Sequence, residues 1–255
     1  MPNRLLVPTI AVVIPCRNGA ELLGRCLESF KAQARLADAL ITVDNASTDS
    51  SAAIAKAYGA DVVTEHRVGI TWAAAAGYDR AVELGADIIV RTDAGAVVPP
   101  DYLQQIEALW HCAADDTVAV AGHAVFDTMP QWVSGVYLGA YRRSVGSALG
   151  HPPLFGTNCS FRAAWWQRVR DGLDLADTQV HDDIQLSFAV RPDETVRYVS
   201  WLEVSMDGRA LKGSAQRRRR FARGWYSMMR GFATSPPQRR LPERWRVRAR
   251  KLARR

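Results

Sequence analysis

Polar and charged side chains follow three short apolar segments of this 255-residue sequence. The segments end in Pro15-Cys16-Arg17-Asn18, in Asp44-Asn45 and in Arg91-Thr92-Asp93. If they are parallel strands, their carboxyl ends meet at the sheet edge where ligands of open α/β proteins bind. Carboxylates there can hydrogen-bond a nucleobase or ribose or ligate a divalent cation, and arginine can neutralise a diphosphate. Asp and Asn are ordinary turn residues, but their coincidence at three strand ends favours a nucleotide site.

An alternation of strands and helices must position these residues. Runs rich in Val, Ile and Ala predict strands at 9–15, 39–44, 60–65, 86–94 and 117–123. Apolar residues at helical spacing and capping residues predict helices near 18–33, 49–58, 71–84 and 101–110. Continuous apolar strands that alternate with helices are typical of a doubly wound, parallel sheet.

The alternation is less regular beyond residue 125. Helices are predicted at 131–148, 163–169 and 182–190, and strands at 156–161 and 195–206. A further helix is expected from Ser214 to Gly231, before a break at Ser235-Pro236-Pro237. We therefore expect a nucleotide-binding half at 1–125, a second half of the same domain at 126–213, and a basic, helical tail at 214–255.

Other protein classes fit the sequence less well. No GxGxxG follows the first strand and no GxxxxGK[ST] is present, which disfavours a Rossmann dehydrogenase and a P-loop enzyme. The four cysteines are scattered without a CxxC pair, so we expect reduced thiols, as in a cytoplasmic protein, and no zinc site. No apolar run reaches the roughly 18 residues of a membrane-spanning helix. The apolar N-terminal stretch leads into the first strand and does not resemble a signal peptide.

Five segments, in order, resemble the motifs of family 2 glycosyltransferases, which have the GT-A fold. They are IAVVIPCRNGAELLGRCLESF at 10–30, the Asp-Asn-x-Ser-x-Asp block at 44–49, Asp93-Ala94-Gly95 in the place of an Asp-x-Asp motif, Gly156-Thr157-Asn158, and His181-Asp182-Asp183. The resemblance covers about residues 9–190. It implies an α/β fold with a mostly parallel, Rossmann-like sheet flanked by helices. It also implies an inverting transfer of a sugar from a nucleoside diphosphate sugar to an acceptor hydroxyl.

The resemblance also implies a role for each matching residue. The donor, of the UDP or GDP type, would be bound by Pro15, Arg17, Asn18, Asp44, Asn45 and Asp93, with Asp44 on its base. Gly156-Thr157-Asn158 would face the transferred sugar and the acceptor. Asp183 aligns with the catalytic base, and Asp182 would orient it or substitute for it. Adjacent carboxylates raise each other's pKa, which suits a base near neutrality, although acids are also favoured where a helix simply begins.

The predicted metal site departs from the family's pattern. Asp93 can hold Mg²⁺ or Mn²⁺ together with the donor diphosphate and water, but Gly95 stands where the second acid of the motif is usual. The sequence therefore leaves metal dependence open. The same departure motivates an alternative function, a catalytically impaired sugar-nucleotide-binding or scaffold protein of this fold. A sugar-phosphate nucleotidyltransferase is disfavoured because its Gly-rich loop after the first strand is missing.

Positive charge is concentrated in the C-terminal stretch. Residues 214–255 contain fourteen Arg and one Lys against Glu243 alone, so they carry +14, whereas the whole chain carries +7. Aromatic residues such as Phe221 and Trp225 lie among these cations, as in helices that lie on a membrane surface. This predicts contact with an anionic membrane at its cytoplasmic face, and a glycan or lipid-linked acceptor. Nucleic-acid binding has the same electrostatic footprint but is disfavoured. A solvated tail, or an arginine folded back onto the donor diphosphate, is the remaining alternative.

Overall fold

The computed structural model describes residues 7–208 and 214–253 of the chain. Eight strands form one sheet within these residues. The strands are β1 Ile10–Cys16, β2 Ala39–Asp44, β3 Asp61–Thr64, β4 Ile88–Arg91, β5 Ala96–Val97, β6 Thr117–Phe126, β7 Cys159–Arg162 and β8 Thr195–Met206.

Nine α-helices surround or extend this sheet in the described residues. They are α1 Ala20–Lys31, α2 Ser51–Ala57, α3 Ile70–Glu83, α4 Tyr102–His111, α5 Gln131–Leu149, α6 Ala163–Val169, α7 Asp182–Ala189, α8 Ser214–Thr234 and α9 Pro237–Ala253. None of the helices in these two ranges is long and apolar enough to span a membrane. All four cysteines are free thiols, as expected.

The sheet is mostly parallel on the side that carries the predicted site. Its strand order is β3-β2-β1-β4-β7-β6-β8-β5. The first four strands are parallel to one another, and so are β6 and β8. β7 runs antiparallel to both β4 and β6, and β5 runs antiparallel to β8. The expected α/β fold is confirmed. The sequence did not predict that β7 runs antiparallel to its neighbours, because the composition of a four-residue strand does not encode its direction.

The core has two layers because the central strands are buried on both faces. On β1, Val12 and Ile14 belong to the cluster with α1 and α4, whereas Ala11 and Val13 belong to the cluster with α3 and α6. A Cβ on Gly77 of α3 would overlap the side chain of Val13. The small residues of α3 therefore let this helix lie close to the sheet, which places its N-terminus at the carboxyl edge.

The two C-terminal helices are docked on the body of the protein. Arg240 of α9 is buried, and it donates hydrogen bonds to the backbone oxygens of Leu149, Ser187, Phe188 and Val190 and contacts His151 Nε2. These oxygens lie at the C-terminal ends of α5 and α7, where backbone acceptors lack helical partners. Arg244, also buried, donates to the oxygens of Val190, Arg191 and Glu194. Part of the basic stretch is thus a component of the folded domain.

Candidate active site

A cleft opens at the carboxyl ends of β1 and β2, with a volume of about 330 Å³. It is lined by Pro15, Cys16 and Arg17 after β1, Asn45 after β2, Val68, Gly69, Ile70 and Ala73 at the start of α3, and Thr178 and Arg223. Three of the residues predicted to bind a nucleotide, Pro15, Arg17 and Asn45, are therefore together. Arg223 comes from the basic stretch, which reaches this cleft through α8.

The loops after β1 and β2 are joined by hydrogen bonds. Asn18 N donates to Ser47 Oγ at 3.1 Å, and Thr48 N donates to Asn18 Oδ1 at 2.8 Å. Asp44 Oδ1 accepts a hydrogen bond from Ser47 N at 3.3 Å. Asn18 has a φ of 50°, a left-handed conformation that asparagine tolerates better than most residues. Asn18 therefore shapes the loop that carries the exposed Arg17.

Asn45 is buried beneath the cleft and ties β2 to the loop before α3. Its Nδ2 donates to the oxygens of Glu65 and Arg67, and its Oδ1 accepts from Gly69 N at 2.9 Å. A Cβ on Gly69 would lie only 2.6 Å from Thr178 Cγ2. Glycine at position 69 thus lets the segment that contains Thr178 close over one side of the cleft.

A buried arginine joins the carboxylates that follow β4 and begin α7. Arg91 is 3% exposed, and its Nη1 donates to Asp93 Oδ1. Its Nη2 lies 3.4 Å from Asp182 Oδ1 and its Nε lies 3.3 Å from Asp182 Oδ2. The Tyr78 hydroxyl donates to Asp182 Oδ2 at 3.4 Å. A Cβ on Gly156 would approach Arg91 Nη1 to 2.6 Å, so glycine allows the backbone to lie against the guanidinium.

Asp183 points from the first turn of α7 towards the segment before β7. Its Oδ2 accepts a hydrogen bond from Gly156 N, and its Oδ1 accepts one from Ile184 N, both at 2.8 Å. The adjacent Thr157 Oγ1 donates to Asp93 Oδ2 at 2.5 Å. Residues 156–157 therefore bridge Asp93 and Asp183. The predicted metal ligand, the predicted base and the predicted acceptor segment are brought together.

The surroundings of Asp182 and Arg91 fix the charges in this cluster. Burial raises the pKa of Asp182, the Arg91 guanidinium opposes this shift, and the neighbouring Asp183 carboxylate adds to it. Burial lowers the pKa of Arg91, but Asp182 and Asp93 more than reverse this, so the guanidinium stays charged. Burial also raises the pKa of Tyr78, which keeps its hydroxyl a hydrogen-bond donor. Asp183 is half-buried and is the more accessible of the two adjacent acids.

Asn158 lies in the core beneath this cluster. Its Nδ2 donates to the oxygens of His123 and Leu202 at 2.7 and 2.8 Å, and its Oδ1 accepts from the Tyr102 hydroxyl at 2.8 Å. These bonds give Asn158 a structural role in holding residues 156–157. The acceptor contact predicted for it stays a prediction.

The sequence pattern of glycosyl transferase family 2 matches residues 11–165. The match covers more than half of the chain and includes the strand ends that form the cleft. The chain belongs to glycosyl transferase family 2. It is therefore a glycosyltransferase. A comparison with curated protein sequences finds no match.

Solved structures of other glycosyltransferases share the fold of this family 2 enzyme. The mannosyltransferase PcManGT from Pyrobaculum calidifontis, in complex with GDP-Man and Mn²⁺, is 19% identical with a TM-score of 0.65, over 97% of this chain and 76% of that one. Glucosyl-3-phosphoglycerate synthase from Mycobacterium tuberculosis, with Mn²⁺, UDP and glucosyl-3-phosphoglycerate, is 21% identical with a TM-score of 0.59, over 85% and 80%. S. aureus TarS in complex with UDP is 13% identical with a TM-score of 0.61, over 78% and 60%.

The acids of this glycosyltransferase do not fit a resident divalent cation. Asp93 is paired with the Arg91 guanidinium and accepts from Thr157, and Gly95 offers no second carboxylate at this position. In residues 7–208 and 214–253, no group of three or more His, Cys, Asp or Glu side chains is placed to hold a metal. A cation at Asp93 would also be repelled by the Arg91 guanidinium. The donor set for the Mg²⁺ or Mn²⁺ whose presence the sequence left open therefore lacks a second acid at Gly95 and has a guanidinium beside Asp93.

The amino-acid sequence did not reveal which groups the Arg91 side chain contacts or that Arg223 lies at the cleft. Arg91 had a signal, because it is the last residue of an apolar strand that is buried on both faces, and a buried charge requires partners. Arg223 had no comparable signal, since it is one of fourteen arginines in the basic stretch.

Proposed function

We propose that this glycosyltransferase moves a sugar from a UDP- or GDP-type donor to an acceptor hydroxyl, with inversion at the anomeric carbon. The cleft at the ends of β1 and β2 carries the proposal, because its volume of about 330 Å³ lies in the range of small-molecule sites. GDP-Man and UDP are bound by proteins of the same fold, which supports a nucleotide sugar as the ligand.

The donor would be held between the loops after β1 and β2. Asp44 has carboxylate lone pairs beyond its bond to Ser47 N, so it can accept from a base N–H. Pro15 forms part of the cleft wall, and the exposed Arg17 also lines the cleft. Asn18 and Asn45 would act through the loops that they hold, and Asp93 through its hydrogen bond from Thr157, which adjoins the Gly156 that contacts Asp183.

Asp183 is the group that we assign as the general base. As the acceptor oxygen attacks the anomeric carbon, its proton passes to the Asp183 carboxylate. The bond from that carbon to the phosphate oxygen breaks, and its electron pair leaves with the nucleoside diphosphate. Asp183 has lone pairs left after its bonds to Gly156 N and Ile184 N. One such carboxylate within hydrogen-bond reach suffices for this role.

Asp182 is assigned as a positioning residue. It is buried and contacts the Arg91 guanidinium and the Tyr78 hydroxyl, so it is less open to an acceptor than Asp183. Through these contacts it would fix the start of α7, and with it the direction of the Asp183 side chain.

The acceptor would approach over Gly156 and Thr157, because these two residues contact the base and Asp93. We propose a glycan or lipid-linked alcohol as the acceptor, and a location of the enzyme at the cytoplasmic face of a membrane. The outward face of α8 supports this location. Its apolar stripe, Phe221, Trp225 and Met229, is 77%, 62% and 38% exposed.

The opposite face of α8 packs on the body of the protein. Ser227 is buried, its Oγ accepts from His181 N at 2.9 Å, and Gly231 lies against Phe188. The apolar stripe therefore points away from α7 and is flanked by the exposed Arg218. Each cation near an anionic leaflet contributes about 1 kcal/mol, so the basic stretch and the stripe together would suit such a surface.

Calorimetric titration with UDP and with GDP tests the donor site. We expect saturable binding of UDP, of GDP or of both. Asp44→Asn should weaken this binding about tenfold, which is an affinity loss of about 1.4 kcal/mol. Asp171→Asn, at a residue outside the site, is the matched control. Failure of both nucleotides to bind, in buffer with and without Mn²⁺, would contradict the proposal.

A further inference from the structure

Arg223 lines the donor cleft and its side chain is held by three backbone oxygens. Its Nε donates to Gln179 O at 3.1 Å, and its Nη2 donates to Thr178 O at 3.2 Å and to Val180 O at 3.3 Å. Among the described residues, none accepts a hydrogen bond from its Nη1. The side chain lines the cleft together with Arg17. Two arginines thus line the same cavity, Arg17 from the loop after β1 and Arg223 from α8.

The N-terminus of α3 adds positive potential to this cavity. Gly69 and Ile70 line it, and α3 runs for 14 residues from Ile70. The first-turn N–H groups of a helix have no helical acceptor and favour phosphate groups. Arginine also binds phosphate oxygens in a two-pronged, charge-assisted geometry. Arg17, Arg223 and this helix end are therefore all suited to a diphosphate.

The acid cluster, in contrast, already contains its cation. Arg91 contacts Asp93 and Asp182, and Thr157 takes the second oxygen of Asp93. The missing second acid of the motif leaves Gly95 next to Leu22 and Asp207. The positive charge that other members of the fold bring with Mn²⁺ is therefore distributed here over protein side chains.

We propose that Arg17 and Arg223 bind the donor diphosphate in place of a divalent cation, so that transfer is independent of metal. This inference rests on the proposed function. When the bond between the anomeric carbon and the phosphate oxygen breaks, the electron pair stays on the nucleoside diphosphate. The two guanidinium groups stabilise that added negative charge. The C-terminal helix α8 is then a component of the donor site as well as an exposed surface.

Titration of the full chain with UDP and GDP in EDTA and in Mn²⁺ tests the metal. We expect the affinity for the nucleotide to differ by less than about threefold between EDTA and Mn²⁺. The rate of nucleotide release from the matching donor sugar should also differ by less than about threefold between the two buffers. A loss of tenfold or more in EDTA, restored by Mn²⁺, would overturn the inference while leaving the proposed function intact. It would then implicate Asp207, the acid beside Gly95, as a ligand. Absence of binding in both buffers would overturn both.

Variants of the two arginines test the ligands. Arg17→Gln and Arg223→Gln should each weaken nucleoside diphosphate binding about tenfold or more and leave the affinity for the nucleoside within about twofold. Arg218→Gln, on the same helix with the same change of charge, should alter neither affinity. Because Arg223 also holds the oxygens of residues 178–180, its loss can loosen α8. Arg17, which is exposed, provides the variant that leaves this contact in place. Unchanged diphosphate affinity in Arg17→Gln and Arg223→Gln would contradict the assignment.

Discussion

Arg91 Nε lies 3.3 Å from Asp182 Oδ2, so a strand of the central sheet contacts the helix that carries the proposed base through a buried ion pair. The same guanidinium donates to Asp93 Oδ1. Two carboxylates, those of Asp93 and Asp182, therefore contact one protein cation, and the Asp183 carboxylate interacts with the same cation electrostatically. Part of the negative charge of these carboxylates is therefore compensated by the Arg91 side chain of the protein itself.

Removal of that cation should be costly to the fold. Arg91→Met leaves Asp182 buried without its partner, and we expect a loss of about 3 kcal/mol in the free energy of unfolding. The double variant Arg91→Met/Asp182→Asn should recover most of this loss, because the unpaired charge is gone. Urea denaturation measures both. Arg80→Met, at a more exposed ion pair with Asp61, should cost less than about 1 kcal/mol. Equal losses in Arg91→Met and Arg80→Met would contradict the buried-pair description.

The raised pKa of Asp182 predicts a pH dependence of stability. Burial disfavours its charged form in the folded chain, so its contribution to stability is present below its unfolded pKa, near 3.8. That contribution is lost as the pH rises through the folded value. The free energy of unfolding of the native protein, relative to Asp182→Asn, should therefore fall as the pH increases from about 4.

Urea denaturation of both proteins across this pH range measures the difference. Asp171→Asn, at a side chain that is 92% exposed, should show no comparable trend. A difference between native protein and Asp182→Asn that stays constant with pH would mean that Asp182 has the same pKa in both states.

Adjacent arginines at the start of α9 provide a matched test of its docking. Arg240 is buried and donates to the oxygens that end α5 and α7, whereas Arg239 is exposed. Arg240→Met should lower the free energy of unfolding by about 3 kcal/mol, because several buried acceptors lose their donor. Arg239→Met should change it by less than about 0.5 kcal/mol. Thermal or urea unfolding decides between them, and similar values for the two variants would show that α9 is not docked as described.

Membrane binding should depend on the outward stripe of α8. Substitution of both Phe221 and Trp225 by Ser removes the two most exposed apolar side chains of that face, and should lower binding to anionic vesicles about tenfold or more. Trp201→Ser removes an aromatic residue that is 60% exposed on β8 and should have little effect. Co-sedimentation with phosphatidylserine-containing vesicles measures this. Equal binding by the native protein and the double variant would exclude the stripe as the contact.

The first half of the fold could be predicted because local sequence and tertiary structure agree there. β2 has the bounds expected from its apolar run, and the bounds of β1 differ from the expected ones by one residue at each end. Non-local features could not be predicted. The reversal of β7 depends on where its neighbours lie, and the two-residue β5 forms only because Met206 pairs with Ala96.

In the candidate site, too, the residues that follow strands could be predicted from the sequence, whereas contacts between distant elements could not. The strand-end residues Pro15, Arg17 and Asn45 line one cleft because β1 and β2 are parallel neighbours in the sheet, and their role in donor binding stays a prediction. The partners of Asp182 depend on packing between β4, α3 and α7, which no sequence pattern specifies. Arg223 enters the cleft only because Ser227 and Gly231 give α8 a face that fits α7.

Nucleotide release by the native protein beside Asp183→Asn tests the central claim most directly. Both proteins are incubated with UDP-, GDP- and dTDP-sugars and candidate glycan or lipid-linked acceptors, in EDTA and in Mn²⁺. The native protein should release nucleotide from one donor class, and Asp183→Asn should be slower by a factor of about 10² to 10⁴ while binding the nucleotide with similar affinity. Release at the same rate by both proteins would remove Asp183 as the base. No release from any donor would contradict nucleotide-sugar transfer by this site.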